Sequence, residues 1–172
     1  DYQAKLAHTT PEPVTLHRIL AAAAEAGVTN VAMEASSHGL DQRRLDGVRL
    51  MAGAFTNFSQ DHLYYHAGFD EYFAAKALLF SHILDAGDAA VINVDSERGR
   101  QMADIARERD LILTTIGQAE GNDFRILGQR YDATGQELRF SYTGQTHLVK
   151  LNKKKNFKTE NKQKEEGQEN TT

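Results

Sequence analysis

The stretch AAVINVDSERGRQMADIARERDLILTTI, Ala89–Ile116, decides the fold. Ala89–Val94 is an apolar run of strand length that ends among polar residues, Asn93 and Asp95. Glu97–Arg109 sets charges against apolar residues at helical spacing, and Leu111–Ile116 is apolar again. Two buried strands joined by a helix pair in parallel, with the helix lying on the sheet.

Upstream the same rhythm repeats. Leu50–Phe55, LMAGAF, reads as a strand and Phe69–Leu84, rich in Ala and Leu, as a long helix. Val28–Met33 reads as a further buried strand. Before it, Pro11–Ala26 carries Leu16, Ile19, Leu20 and Ala23 at helical spacing. Thr10 is the expected N-cap of that helix, Pro11 its first turn and Gly27 its stop. The expectation is an α/β domain with a mostly parallel sheet flanked by helices.

Downstream of Gly117 the pattern changes. Phe124–Gln129, Glu137–Tyr142 and His147–Leu151 alternate in polarity and are separated by DATG and TGQ turns, which predicts a small antiparallel meander near the C-terminal end. Residues 153–172 hold one aromatic and no aliphatic residue, too little to bury a core. We therefore expect one domain over 1–151 and a disordered, charged tail over 152–172. The lysines of that tail alternate with glutamates and amides, which reads as a solvated segment or a reading-frame scar rather than a nucleic-acid contact.

Composition narrows the function classes. The 172 residues are 40% hydrophobic with a net charge of -4, which suits an ordinary core and points to neither nucleic acid nor an anionic membrane. The absence of cysteine excludes disulfides and thiolate chemistry. Without an apolar run of about 20 residues, the expected setting is cytoplasmic. The chain opens Asp1-Tyr2-Gln3, without methionine, which reads as a fragment or a processed chain.

Three clusters carry chemistry. In VAMEASSHGLDQRR, Val31–Arg44, an apolar run ends in Glu34, Ser36, Ser37 and His38, where open parallel sheets bind ligands. The plain alternative is a serine cap with a surface histidine, and a serine-hydrolase reading lacks its Gly-x-Ser-x-Gly elbow. In FTNFSQDHLYYH, Phe55–His66, Asn57, Asp61, His62 and His66 follow a second strand. His62 and His66 lie four apart, which invites a metal reading, against the alternative of a polar loop. Lys76 in FAAKALLF, Phe73–Phe80, is flanked by Ala and Leu. It is either a snorkelling lysine or an amine whose pKa falls on burial and which takes up carbon dioxide, giving an anionic oxygen ligand for Mg²⁺.

TTPEP (Thr9–Pro13), AMEASSHGLDQRR (Ala32–Arg44), FTNFSQDHLYYH, YFAAKALLF and AVINVDSERG, in this order, resemble the central domain of the Mur ligases from about Thr9 to about Leu151. Within that family, TTPEP and EASSHGL favour the group that adds the third, diamino residue of the peptidoglycan stem peptide. The resemblance implies a P-loop-NTPase-like fold and an ATP-dependent ligase that joins meso-diaminopimelate or L-lysine to UDP-N-acetylmuramoyl-L-alanyl-D-glutamate. Its partners would be small molecules: the UDP-muramoyl-dipeptide, the diamino acid and ATP, with no nucleic acid and no membrane. By resemblance, Glu34 and His62 bind magnesium, Lys76 carries the carbamate (N6-carboxylysine), and Thr9, Thr10, Ser36, Gln42 and Arg44 hold the dipeptide substrate.

The chain departs from the family pattern at Gln60, where arginine is expected, and at Tyr64, where aspartate is expected. No Gly-x-x-x-x-Gly-Lys-Ser/Thr occurs in it. A Gly-Arg-Phe-Asn stretch is expected after Leu151 and is replaced by the lysine-rich segment. The resemblance is thus to part of the domain and part of the ligase, without the phosphate loop, the uridine-binding domain or the domain that selects the diamino acid. Two other functions stay open: a non-catalytic module that binds a nucleotide-sugar peptide, and a metal-dependent hydrolase built on Asp61, His62 and His66.

Overall fold

The structure is a computed structural model that describes residues 9–58, 66–132 and 135–152. Among these described residues four α-helices and six strands follow in the order α1 (Pro13–Glu25), α2 (Ser37–Asp41), β1 (Ala52–Phe55), α3 (Phe69–Leu78), β2 (Ala89–Asn93), α4 (Glu97–Glu108), β3 (Ile112–Gly117), β4 (Phe124–Asp132), β5 (Gly135–Tyr142) and β6 (Gln145–Asn152). All six strands belong to one sheet in sequence order. β1 to β4 run parallel and β4 to β6 antiparallel. The expected meander is therefore an extension of the parallel sheet, joined to it through Ile116 and Gly117 of β3.

α3 and α4 are the crossovers β1–β2 and β2–β3, and both connect neighbouring strands in the same direction. Right-handed crossovers then put both helices on one face. The core lies there: Phe80, Leu84, Ile92 and Met102 are fully buried, with Phe55, Ala90, Ala103 and Ala106 around them. Gly53 of β1 turns toward this layer, where a Cβ would stand 3.0 Å from Leu84. Ser96 caps α4 by accepting from the Gly99 N–H at 3.0 Å, which satisfies an otherwise orphaned donor.

Three expectations need correction. α1 begins at Pro13 with Glu12 as its N-cap residue, and Thr10 makes different bonds, described below. The helix expected over 69–84 is α-helical only to Leu78, and Leu79–Ile83 widens into a π-helical turn that buries both Leu79 and Phe80. Val28–Met33 is not a strand. It has no regular secondary structure, and Val28 and Val31 are 38% and 56% exposed. A strand exists by its ladder, and β1, at the sheet edge, has β2 as its one neighbour among the described residues. Val31–Ala35 and β1 instead face each other across a cavity of about 690 Å³. Of the segment expected as a tail, 152–172, Asn152 ends β6 and residues 153–172 lie outside the described residues.

Candidate active site

Thr10 explains why the chain is held where Glu34 begins the site. Its side chain is 1% exposed. The Oγ1 hydroxyl donates to the Glu34 carbonyl and accepts from the Ser36 N–H, both at 2.9 Å. One side chain thus ties off two backbone groups of a segment that has no strand partner. Ser36 then caps α2, its Oγ accepting from the Gly39 N–H at 3.1 Å. Gly39 has to be glycine, because a Cβ would fall 2.6 Å from the Thr10 methyl.

Arg43 follows with φ of 55°, a left-handed turn that sends the next residue inward. Arg44 is 9% exposed. Its Nη1 donates to the Thr10 carbonyl at 2.8 Å, and its Nε and Nη2 donate to Gln42 Oε1 at 3.0 and 2.6 Å. Glu12 supplies the counter-charge at 3.0 Å. Thr10 from one motif and Ser36, Gln42 and Arg44 from another are therefore one hydrogen-bonded network. Thr9 is exposed at its edge.

Glu34 and Lys76 line the same cavity, together with Asn57 and Tyr72. Burial pulls the Lys76 ammonium below the usual lysine range, and the charge of Glu34 opposes this only in part. The Nζ lies over the Tyr72 ring, 5.1 Å from its centroid. The arrangement joins an exposed carboxylate to an amine with a raised neutral fraction, walled by apolar residues.

The sequence left His66 open between a metal ligand and a polar-loop histidine. His66 is 7% exposed and sits among rings, 5.7 Å from His38 and 5.4 Å from Tyr72 between centroids. Asp61 and His62, with Gln60 and Tyr64, lie outside the described residues. Among the described residues no group of three or more His, Cys, Asp or Glu side chains could hold a metal. Sequence reasoning passed over Glu12, Phe58 and Tyr72. Only Tyr72 left a signal, four residues before Lys76 on one helix.

A family model of the Mur ligase middle domain matches residues 2–162. The chain belongs to the Mur ligase middle-domain family. This Mur ligase middle domain is 54% identical over 114 residues to the UDP-N-acetylmuramoyl-L-alanyl-D-glutamate--2,6-diaminopimelate ligase of Brucella melitensis, covering 66% of the chain and 23% of the relative. It is 42% identical over 156 residues to the ligase of the same name from Bradyrhizobium diazoefficiens, covering 89% and 32%. A solved structure of a ligase of that name superposes with a TM-score of 0.73 at 32% identity, over 83% of the chain and 29% of that structure. The MurF ligase of Thermotoga maritima in complex with ADP shares the fold, with a TM-score of 0.51 at 16% identity over 61% of this Mur ligase domain and 23% of that one. The domain thus spans about a quarter to a third of the curated relatives named here. No helix among the described residues is long and apolar enough to cross a membrane.

Proposed function

We propose that this chain is the middle-domain segment of an ATP-dependent ligase that joins 2,6-diaminopimelate to UDP-N-acetylmuramoyl-L-alanyl-D-glutamate. The observation that carries the reading is the shared cavity of Glu34 and Lys76 beside the buried Thr10–Arg44 network. The names of the relatives favour diaminopimelate over lysine as the amine.

In such a reaction a carboxylate oxygen of the dipeptide takes the γ-phosphoryl group of ATP, releasing ADP. The amine then attacks the acyl carbon and phosphate leaves. Catalysis of this kind rests on positioning and charge neutralisation. Arg44 and Gln42 stiffen the loop that meets the anionic dipeptide, while Ser36 and Thr10 fix its backbone. Lys76, whose burial favours the neutral amine, is suited to add carbon dioxide: the nitrogen–carbon bond forms and a proton goes to water. Glu34, that carbamate and His62 would hold Mg²⁺, which supplies charge neutralisation at the transferred phosphoryl group. Two of these three donors, the Glu34 carboxylate and the carbamate, are the hard oxygen ligands that Mg²⁺ prefers, and His62 adds a nitrogen.

The test is a chimera in which residues 9–151 replace the matching segment of the Brucella melitensis ligase. Phosphate release that depends on both the dipeptide and diaminopimelate is expected. It should fall at least about 100-fold in Lys76→Ala, in line with removal of a group that stabilises developing charge, and return in part with millimolar acetate. A chimera that unfolds cooperatively yet releases no phosphate would favour the alternative reading, a non-catalytic module that binds the nucleotide-sugar peptide.

A further inference from the structure

The substrate loop and Lys76 sit on different elements, α2 with its flanks and α3, and a line of rings runs between them. His38 of α2 faces His66 at 5.7 Å, His66 faces Tyr72 at 5.4 Å, and the Tyr72 ring carries the Lys76 Nζ at 5.1 Å. Both middle members are almost closed off from solvent, at 7% for His66 and 6% for Tyr72. Tyr72 is further held by Phe58, stacked at 4.9 Å with 20° between the planes. Phe58 in turn meets Phe69 at 4.4 Å and Phe73 at 5.6 Å, so the ring stacked on Tyr72 is itself held in place.

We propose that His66 and Tyr72 are positioning residues that set the distance and direction of Lys76 relative to the substrate loop. The proposal rests on the ligase reading of Lys76 and the loop, and neither residue is assigned contact with reacting atoms. The spacing does the rest. Tyr72 and Lys76 are four apart on α3, so the ring lies beside the lysine stem and limits its rotamers. His66 stands between that ring and His38, two residues beyond the Ser36 cap. A shift of α2 therefore moves His38, then His66, then the surface on which the amine rests. Aromatic contacts at 4.5–7 Å have preferred angles, which gives such a line direction as well as distance. In a reaction governed by alignment, a misplacement of about 1 Å costs on the order of 100-fold in rate.

The test uses the 172-residue chain and needs no turnover. Nuclear magnetic resonance of the Lys76 methylene next to Nζ reads the Tyr72 ring current directly, and Tyr72→Leu should abolish that shift while Tyr72→Phe keeps it. The proposal expects His66→Ala to move the same Lys76 signal, though it does not touch the lysine. It should also speed amide exchange at Ser36 and Gly39 by about tenfold, with β2 amides unchanged. His66→Phe should restore both. If His66→Ala does not fold, His66→Gln, which keeps bulk but removes the ring, is read in the same way. A folded His66 variant lacking the ring, with Lys76 and the Ser36 and Gly39 amides unaffected, overturns the proposal. Because these signals do not depend on ligase activity, an inactive chimera would leave this result standing. In an active chimera, Tyr72→Leu should lower kcat by about tenfold or more with KM for ATP unchanged, the mark of misalignment and not of lost binding.

Discussion

Arg44 holds a charge in a place where water cannot reach most of it, and four acceptor contacts make that tolerable. Truncating it would leave the Thr10 carbonyl and Gln42 amide without their donor. Arg44→Ala is expected to lower the stability of the chain by about 2 kcal/mol, a typical loss for hydrogen bonds to a charged group, as read from urea midpoints. Arg44→Lys should recover less than half of that, since an ammonium cannot reach three partners lying in the plane of a guanidinium. Lys76 is the opposite case. Its folded-state pKa lies below the unfolded one because burial disfavours the charge, so below that lowered value the folded state bears the full penalty. Lys76→Met should therefore unfold at a higher urea concentration than the parent at pH 7. The gap should narrow as pH rises toward about 10.4, where the unfolded lysine also loses its proton; a gap that stays constant would contradict the burial argument. At this scale the sequence singled out Thr10, Ser36, Gln42 and Arg44 but not the bonds among them. Thr10 looked like a helix cap because threonine before proline commonly is one, and only the folded chain reveals that its hydroxyl serves Glu34 and Ser36 instead.

Strands β2 and β3 and helix α4 were legible because both partners of each ladder lie in the chain and the polar break at Asn93–Asp95 marks the turn into the helix. Val28–Met33 has the same apolar character and forms no strand, because composition sets what a segment can bury and not whether it pairs, and here a cavity separates Val31–Ala35 from the edge of β1. The π-helical turn at Leu79–Ile83 was equally hidden, since an apolar run such as ALLF carries no mark of its hydrogen-bond period. One exposed carboxylate reinforces the join between β3 and β4. Asp123 accepts from the N–H and the hydroxyl of Thr115, both at 2.8 Å, and these bonds hold its pKa below the usual carboxylate value. A depressed carboxylate pKa stabilises the fold above the unfolded value, about 3.9, and that support is lost as pH falls through the folded value. Asp123→Asn should thus be less stable than the parent at pH 7 and should converge with it in acid. Urea midpoints measured between pH 2 and pH 7 decide this.

Across the whole molecule, one sheet carries both a parallel half with the cavity and an antiparallel half that reaches Asn152. Removal of residues 153–172, which contain no aliphatic side chain, is expected to shift the thermal midpoint by no more than about 2 °C, within the effect of a fraction of a kcal/mol. A larger drop would mean that the segment contributes to the core. The outer edge of β1 bears on how the chain behaves in solution. Four residues of backbone are open to pairing there, next to Met51 at 84% and Val31 at 56% exposure, and among the described residues nothing blunts them. Such an edge is a template for other chains. Light scattering at 37 °C should therefore rise steeply with protein concentration, whereas a lysine at the exposed position Ala54 should suppress it without lowering the unfolding midpoint. In a cell, the same edge would make the lone segment a client for chaperones and proteases, so its abundance would be governed by how quickly that edge is covered.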